Sequence, residues 1–255
     1  MDPVESIALW AALFIGTHLL ISSSLVRPRL IAAVGEQPYR GIYSLVSFGT
    51  LIPLVVVFAH HKHSGPMLWY QRNDASIRGI VFVTMLIAFV LLVSGLVTPS
   101  PASMGAPAGS VQPPRGLLKV TRHPSFVGFV LFGLAHILVN AWLGDVIFFG
   151  TFPALGILGG RHQDARKLSQ LGKGYRDFMA VTSFFPGAAL FSGRQKWESS
   201  DMPWMAIGVG AVLTIIVILV HPWLFGGQPL GLTLLHTGSR VNFSLLVPLP
   251  FQARG

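Results

Sequence analysis

Four residues of this 255-residue chain stand where they could do chemistry: His18, His136, Arg122 and His123. The two lone histidines lie inside apolar runs, WAALFIGTHLLISSS and RHPSFVGFVLFGLAHILVN. An ionisable side chain at such depth is costly and marks a functional position by default. His136 is twelve residues beyond Pro124, about 18 Å along a helix, too far in to reach the interface. Gly133, three residues earlier on the same face, removes a side chain and would let a flat ligand approach the backbone, with Phe129 and Phe132 bordering the gap. Asn140, at i+4, is placed to bond the ring or the following loop. The plainer alternative for a buried imidazole is a hydrogen bond to a neighbouring helix.

His18 lies two-thirds of the way through its run, with Ser22 at i+4 available to orient the ring. If the two runs cross in opposite directions, His18 and His136 lie about 12 and 18 Å from one boundary, close enough to share a depth when helix ends shift by a few residues. Two imidazoles with aromatic and glycine neighbours, and no carboxylate nearby, suit a haem iron better than zinc or calcium. The absence of cysteine removes disulfides, thiolate ligation and a cysteine nucleophile.

Arg122 and His123 differ in setting. Pro124 fits the first turn of a helix, so both residues sit at the positive end of a helix dipole. That is unfavourable unless an anion offsets them, and a phosphate or carboxylate would fit. Otherwise they snorkel to headgroups. His60, His61 and His63, in AHHKHSG, have the density of a small metal site, but they end a span, where solvated histidines are ordinary. His162 and His221 read as interfacial.

The elements that must position these residues follow from composition. The chain is 52% hydrophobic and 11% charged, with mean hydropathy +0.63, whereas soluble domains carry about 25% charged residues. This is the composition of an all-α, polytopic membrane helix bundle. Apolar runs at Val4–Leu25, Tyr43–Ala59, Ile77–Val97, Pro124–Asn140, Val146–Gly159 and Pro203–Val220 give six transmembrane helices, most near the length that crosses a ~30 Å core. The fifth is shortest and contains Pro153. Residues 161–182 set Leu168, Leu171, Tyr175, Phe178 and Met179 at helical spacing, which predicts one interfacial amphipathic helix broken near Gly172–Gly174. Thr98–Gly116 reads as an irregular loop, and the tail after His221 has no period. The chain therefore divides into a membrane domain, 1–190, and an additional transmembrane helix with an irregular C-terminal tail, 191–255.

The first run opens on the acidic MDPVES and is followed by Arg27 and Arg29, so it reads as a retained anchor and not a signal peptide. Loops 26–42, 98–123 and 160–202 carry 13 Lys and Arg against 5 elsewhere, which predicts that both termini face away from the cytoplasm of a bacterial inner membrane. The net charge of +9 is explained by topology and anionic lipid headgroups. It calls for the bilayer as partner and for no nucleic acid.

Three blocks carry a resemblance: GTHLLISSSLVRPRLIAAVGEQPYRGIYSLVSF (16–48), TRHPSFVGFVLFGLAHILVN (121–140) and DARKLSQLGKGYRDFMAVTSFFP (164–186). In this order they resemble the NnrU family, named for nitrite and nitric-oxide reductase regulons and related to the zeta-carotene isomerases. The resemblance implies a multi-span protein associated with denitrification, with respiratory membrane proteins as partners. From the isomerase branch it implies a haem b whose ligands fall on His18 and His136. That branch has a cysteine three residues before the second histidine, where this chain has Gly133, so exchange of a thiolate onto iron is unavailable. Membrane isoprenylcysteine and thiol methyltransferases share a skeleton matched by Arg122, His123, Pro124, Phe126, Gly128, Asp164, Leu168, Gly172 and Tyr175, implying S-adenosylmethionine as the alternative cofactor. They prefer paired glutamates where this chain reads Gln163–Asp164. A non-catalytic assembly factor is the third reading.

Overall fold

The computed structural model describes residues 1–69, 75–98, 100–102 and 111–226. The described residues form helices and no strand, with one isolated antiparallel bridge between Met67 and Trp142. The long helices are α1 (Pro3–Ile21), α3 (Glu36–His60), α4 (Ala75–Val97), α5 (Pro124–Val139), α6 (Leu143–Val181) and α8 (Trp204–Phe225), with short α2 (Arg27–Val34) and α7 (Ala188–Phe191) between them. Five are long and apolar enough to cross a membrane; α5, at 16 residues, is shorter and spans about 24 Å. Tyr70–Asp74, residues 99 and 103–110 of the Thr98–Gly116 loop and the tail beyond Gly226 lie outside the described residues.

Local signals set the starts. Asp2 caps α1 by accepting from the Val4 N–H, Glu5 returns the bond to the Asp2 N–H, and Pro3 takes the first turn, a capping box. Pro124 opens α5 with His123 at its N-cap. The expected amphipathic helix is not a separate element. It continues α6 without interruption from the fifth span as far as Gly172, whose φ of 55° and ψ of −126° break the helix in a region open chiefly to glycine. From Leu143 to the break at Gly172, α6 runs about 44 Å, so only its apolar first part crosses the bilayer.

Packing runs in the order α8, α4, α5, α6, α1, α3, which sets α6 between α1 and α5. Small residues let backbones close up, as expected where lipid offers no hydrophobic drive. A Cβ on Gly128 would meet the Ala88 carbonyl at 2.8 Å, and one on Gly156 the Phe126 carbonyl at 2.7 Å. The core of α1, α3 and α6 is Ile7, Ala11, Phe14, Leu54, Phe58 and Phe148, with the Phe58 and Phe148 rings stacked 3.8 Å apart.

The connections alternate between two ends. At one, Gly144 N–H donates to the Ser64 carbonyl, Leu68 N–H to that of Ala141, and Lys62 to that of Phe225. The other end holds α2, the turn at Gly116–Lys119 and the segment 182–201. The arginine-rich and lysine-rich loops are thus gathered at one end. Arg72, Arg240 and Arg254 lie outside the described residues.

Candidate functional site

Arg122 and His123 meet an anion, and the chain itself supplies it. Arg122 donates from Nε and Nη2 to Asp164 Oδ2 at 2.9 and 2.6 Å, His123 Nε2 lies 2.7 Å from Oδ1, and the Tyr175 hydroxyl donates to the same Oδ1 at 2.7 Å. Both His123 and Asp164 are buried. The Phe184 ring lies 5.2 Å from that of His123 and packs under the Arg122 guanidinium. The returning chain clips the same corner, with Arg122 N–H donating to Ser183 and the Thr121 hydroxyl to Phe184. The anion expected at these two residues is a carboxylate of the chain itself, 42 residues beyond Arg122 in sequence, so the Arg122–His123 pair joins two helices. Residues matching the methyltransferase skeleton do converge here, but their polar atoms are spent on one another.

His18 lies in a polar set inside the membrane. Its Nε2 is 2.6 Å from the Tyr43 hydroxyl and its Nδ1 3.2 Å from Ser47 Oγ. A neutral ring satisfies both by accepting from Tyr43 and donating to Ser47. Ser22, expected to orient the ring, instead donates to the His18 carbonyl at 2.7 Å. The set is half-buried, and beside it α3 exposes Leu45, Phe48 and Ile52. Tyr43 and Ser47 had no signal as single residues. Their place one helical turn apart, facing a membrane histidine, appears only once α1 and α3 pair.

His136 is held differently. Its Nδ1–H donates to the Phe132 carbonyl at 2.9 Å and its ring stacks on Phe149 at 4.5 Å, so Nε2 keeps its lone pair. Asn140 bonds the His136 carbonyl, not the ring. Gly133 is not a ligand face: a Cβ there would overlap Pro153 and lie 2.6 Å from the Phe149 carbonyl. The glycine admits α6.

These placements bear on a haem held between His18 and His136. A Cβ on Gly144 would lie 3.2 Å from Ile7 Cδ1, which puts those residues level on α1 and α6, two helices that start at the same end. His18 is eleven residues on, about 16 Å, whereas Phe149, against which His136 stacks, is five residues on, about 8 Å. The rings thus differ in depth by about 9 Å, with α6 between α1 and α5 and with both His18 nitrogens engaged. The structure does not bring the two together, and as placed the pair does not fit a single macrocycle. His136 alone presents a nitrogen suited to iron.

At the opposite end, His63 lies 2.7 Å through Nδ1 from the buried Asp145, which also accepts from the His63 N–H. No group of three metal-ligating side chains occurs among the described residues, so His60, His61 and His63 do not converge on a common centre.

Comparison with known proteins adds two findings. A family profile described as NnrU protein matches residues 6–229. The chloroplastic 15-cis-zeta-carotene isomerase of Zea mays is 28% identical over 204 residues, covering 74% of this chain and 52% of the maize protein. That of Arabidopsis thaliana is 26% identical over 211 residues, covering 76% and 54%. The chain spans about half the length of the curated relatives it matches. No solved structure matches significantly.

Proposed function

The chain belongs to the NnrU family, and from that premise we propose that it is an isomerase-like membrane protein acting from within the bilayer on a double bond of a lipid-soluble polyene. The observation that carries this reading is the likeness to two zeta-carotene isomerases across about three quarters of the chain. The family match, residues 6–229, takes in the helices that hold His18 and Tyr43. A hydrocarbon polyene offers no polar groups, so its site needs apolar walls and few polar atoms. The lipid-exposed flank of α3 has that character, and the His18–Tyr43 pair supplies a hydroxyl and an imidazole at hydrogen-bond distance, able to hold and move one proton. A haem b, and a role beside nitrite or nitric-oxide metabolism, are carried by the family's properties and not by this geometry.

The test is direct. The full-length protein in liposomes is given 15-cis-zeta-carotene in the dark, and the geometric isomers are separated by chromatography. Loss of the 15-cis isomer is expected, together with loss of that activity in His18→Ala. A folded wild-type protein that leaves the substrate unchanged, with and without added haem, overturns the proposal.

A further inference from the structure

At the end of the bundle away from the basic loops, the turn after α3 gathers side chains that ligate soft metals. His63 holds the left-handed backbone region, at φ 59°, where non-glycine residues are uncommon and cluster at functional sites. It is fastened there at two points, its N–H donating to Asp145 Oδ1 at 3.0 Å and its Nδ1–H to Oδ2 at 2.7 Å. An ionised carboxylate only accepts, so the proton sits on Nδ1 and the lone pair on Nε2. Asp145 is fully buried, whereas the His63 side chain is 53% exposed. A carboxylate behind an imidazole is the arrangement that orients a histidine and makes it a stronger metal ligand.

The chain then doubles back. Gly65, at φ 79°, lets the turn pass close against Val4 and Leu143, and Met67 pairs with Trp142 in the antiparallel bridge. The flanking bonds run from Leu68 N–H to the Ala141 carbonyl at 2.8 Å and from Leu143 N–H to that of Pro66 at 3.0 Å. They make Met67 and Trp142 a non-hydrogen-bonded pair, the kind whose Cα atoms lie about 4.5 Å apart and whose side chains come closest. The two side chains rise together on one face. The Trp142 ring also lies 6.3 Å from that of His63. One indole thus borders both a thioether and an oriented imidazole, and Met67 is 47% exposed.

We propose that His63 and Met67 hold a copper(I) ion, with the Trp142 ring beside it. Thioether sulfur selects monovalent copper, and imidazole suits it as well. Methionine is the soft ligand left to a chain without cysteine. The indole face attracts a cation, and Asp145 supplies a counter-charge across the imidazole. Zinc draws on thiolate, imidazole and carboxylate ligands, so the thioether favours copper over it. Two protein ligands leave a position open, through which the ion is taken up or passed on. The site lies at the opposite end of α1 and α3 from His18 and Tyr43 and does not depend on the reaction proposed there.

The test uses the full-length protein in phosphatidylcholine nanodiscs, kept anaerobic and titrated with copper(I) against the chromophoric chelator bicinchoninate. One copper(I) per chain is expected, not displaced by excess zinc(II). Met67→Leu, which removes the sulfur at similar volume, and His63→Gln should each weaken binding at least as much as loss of an outer-shell partner does, about 10–100-fold. His60→Gln, His61→Gln and, on the exposed side of α8, Met205→Leu should leave the affinity near wild type. Copper(I) should quench tryptophan fluorescence, and Trp142→Phe should remove most of that quenching although five other tryptophans remain. If Met67→Leu does not fold, X-ray absorption of the wild-type copper(I) protein decides: a sulfur scatterer is expected, and a shell of nitrogen and oxygen alone overturns the proposal. Failure to retain copper(I), displacement by zinc(II), or affinity unchanged in Met67→Leu and His63→Gln also overturns it, as does a loss that follows His60 or His61 instead of Met67.

Discussion

Arg122 and Asp164 meet through both Nε and Nη2 of the guanidinium, a two-point contact that fixes the first turn of α5 against α6 just beyond its apolar half. His123 and Tyr175 complete the ring of donors. Breaking a buried pair on one side leaves an uncompensated charge and costs about 3–5 kcal/mol. Asp164→Asn should therefore lower thermal stability in detergent by that order. Tyr175→Phe removes one hydrogen bond to a charged group and should cost about 1.5–3 kcal/mol. An Asp164→Asn protein that melts with wild type contradicts this account.

Tyr43→Phe deletes the hydroxyl that His18 accepts from. As a positioned proton-handling group, its loss should lower isomerisation about 10²–10⁴-fold, while removing one hydrogen bond from the half-buried ring at a cost of about 0.5–1.5 kcal/mol. Tyr39→Phe, four residues away with its hydroxyl on the Ile21 carbonyl, should leave turnover near wild type. Equal effects of the two changes on turnover would remove His18–Tyr43 from the chemistry.

Gly133→Ala places a methyl against Pro153 and the Phe149 carbonyl. Overpacking of this kind costs about 1–3 kcal/mol, and Gly133→Leu should prevent α5 and α6 from closing. Unfolding of Gly133→Ala measures the first. If Gly133→Leu stays folded and changes only a haem spectrum, the face belongs to a macrocycle after all.

Topology follows from the two ends. Reporter fusions at Gln195 and after Ser110 should report the cytoplasm, and fusions at Gly65 should report the opposite side, because 13 Lys and Arg lie in the loops of one end and such residues resist translocation. An extracytoplasmic signal at Gln195 would invert the orientation.

The Lys119–Asp201 link carries a pH signature. The Asp201 and Glu198 carboxylates raise the Lys119 ammonium, and the Lys119 ammonium holds Asp201 below the ordinary carboxylate range. The Asp201 contribution is present above the unfolded carboxylate value of about 4 and is lost as pH falls through its lowered folded value. That of Lys119 is present below about 10.5 and is lost as pH rises through its raised folded value. Fluorescence of Trp197 and Trp204 should hold steady at neutral pH and change at both extremes. Lys119→Met should flatten the response.

Much of the bundle was legible because its determinants are local. The apolar runs, the Pro124 start and the break near Gly172 each depend on a few adjacent residues, and the structure keeps all three. The length of α6 was not legible, since the pattern turns from apolar to amphipathic after Gly160 while the backbone continues unchanged. Partners distant in sequence were hidden in the same way. Nothing around His18 indicates Tyr43, and only the methyltransferase-like skeleton set Arg122, His123, Asp164 and Tyr175 side by side, without saying that they bond one another. Gly133 was read by what its missing side chain could admit. Only the neighbouring helix shows that Pro153 takes the room.

The uninterrupted run of α6 from Leu143 to Gly172 makes it a lever with its notch at Pro153, the point where a helix yields most readily. Lys167 is fourteen residues from that notch, about 21 Å. A swing of roughly 5° at the proline displaces the ammonium by about 2 Å. A small bend at Pro153, against which Gly133 of α5 packs, is thereby amplified at the far, basic end of the same helix.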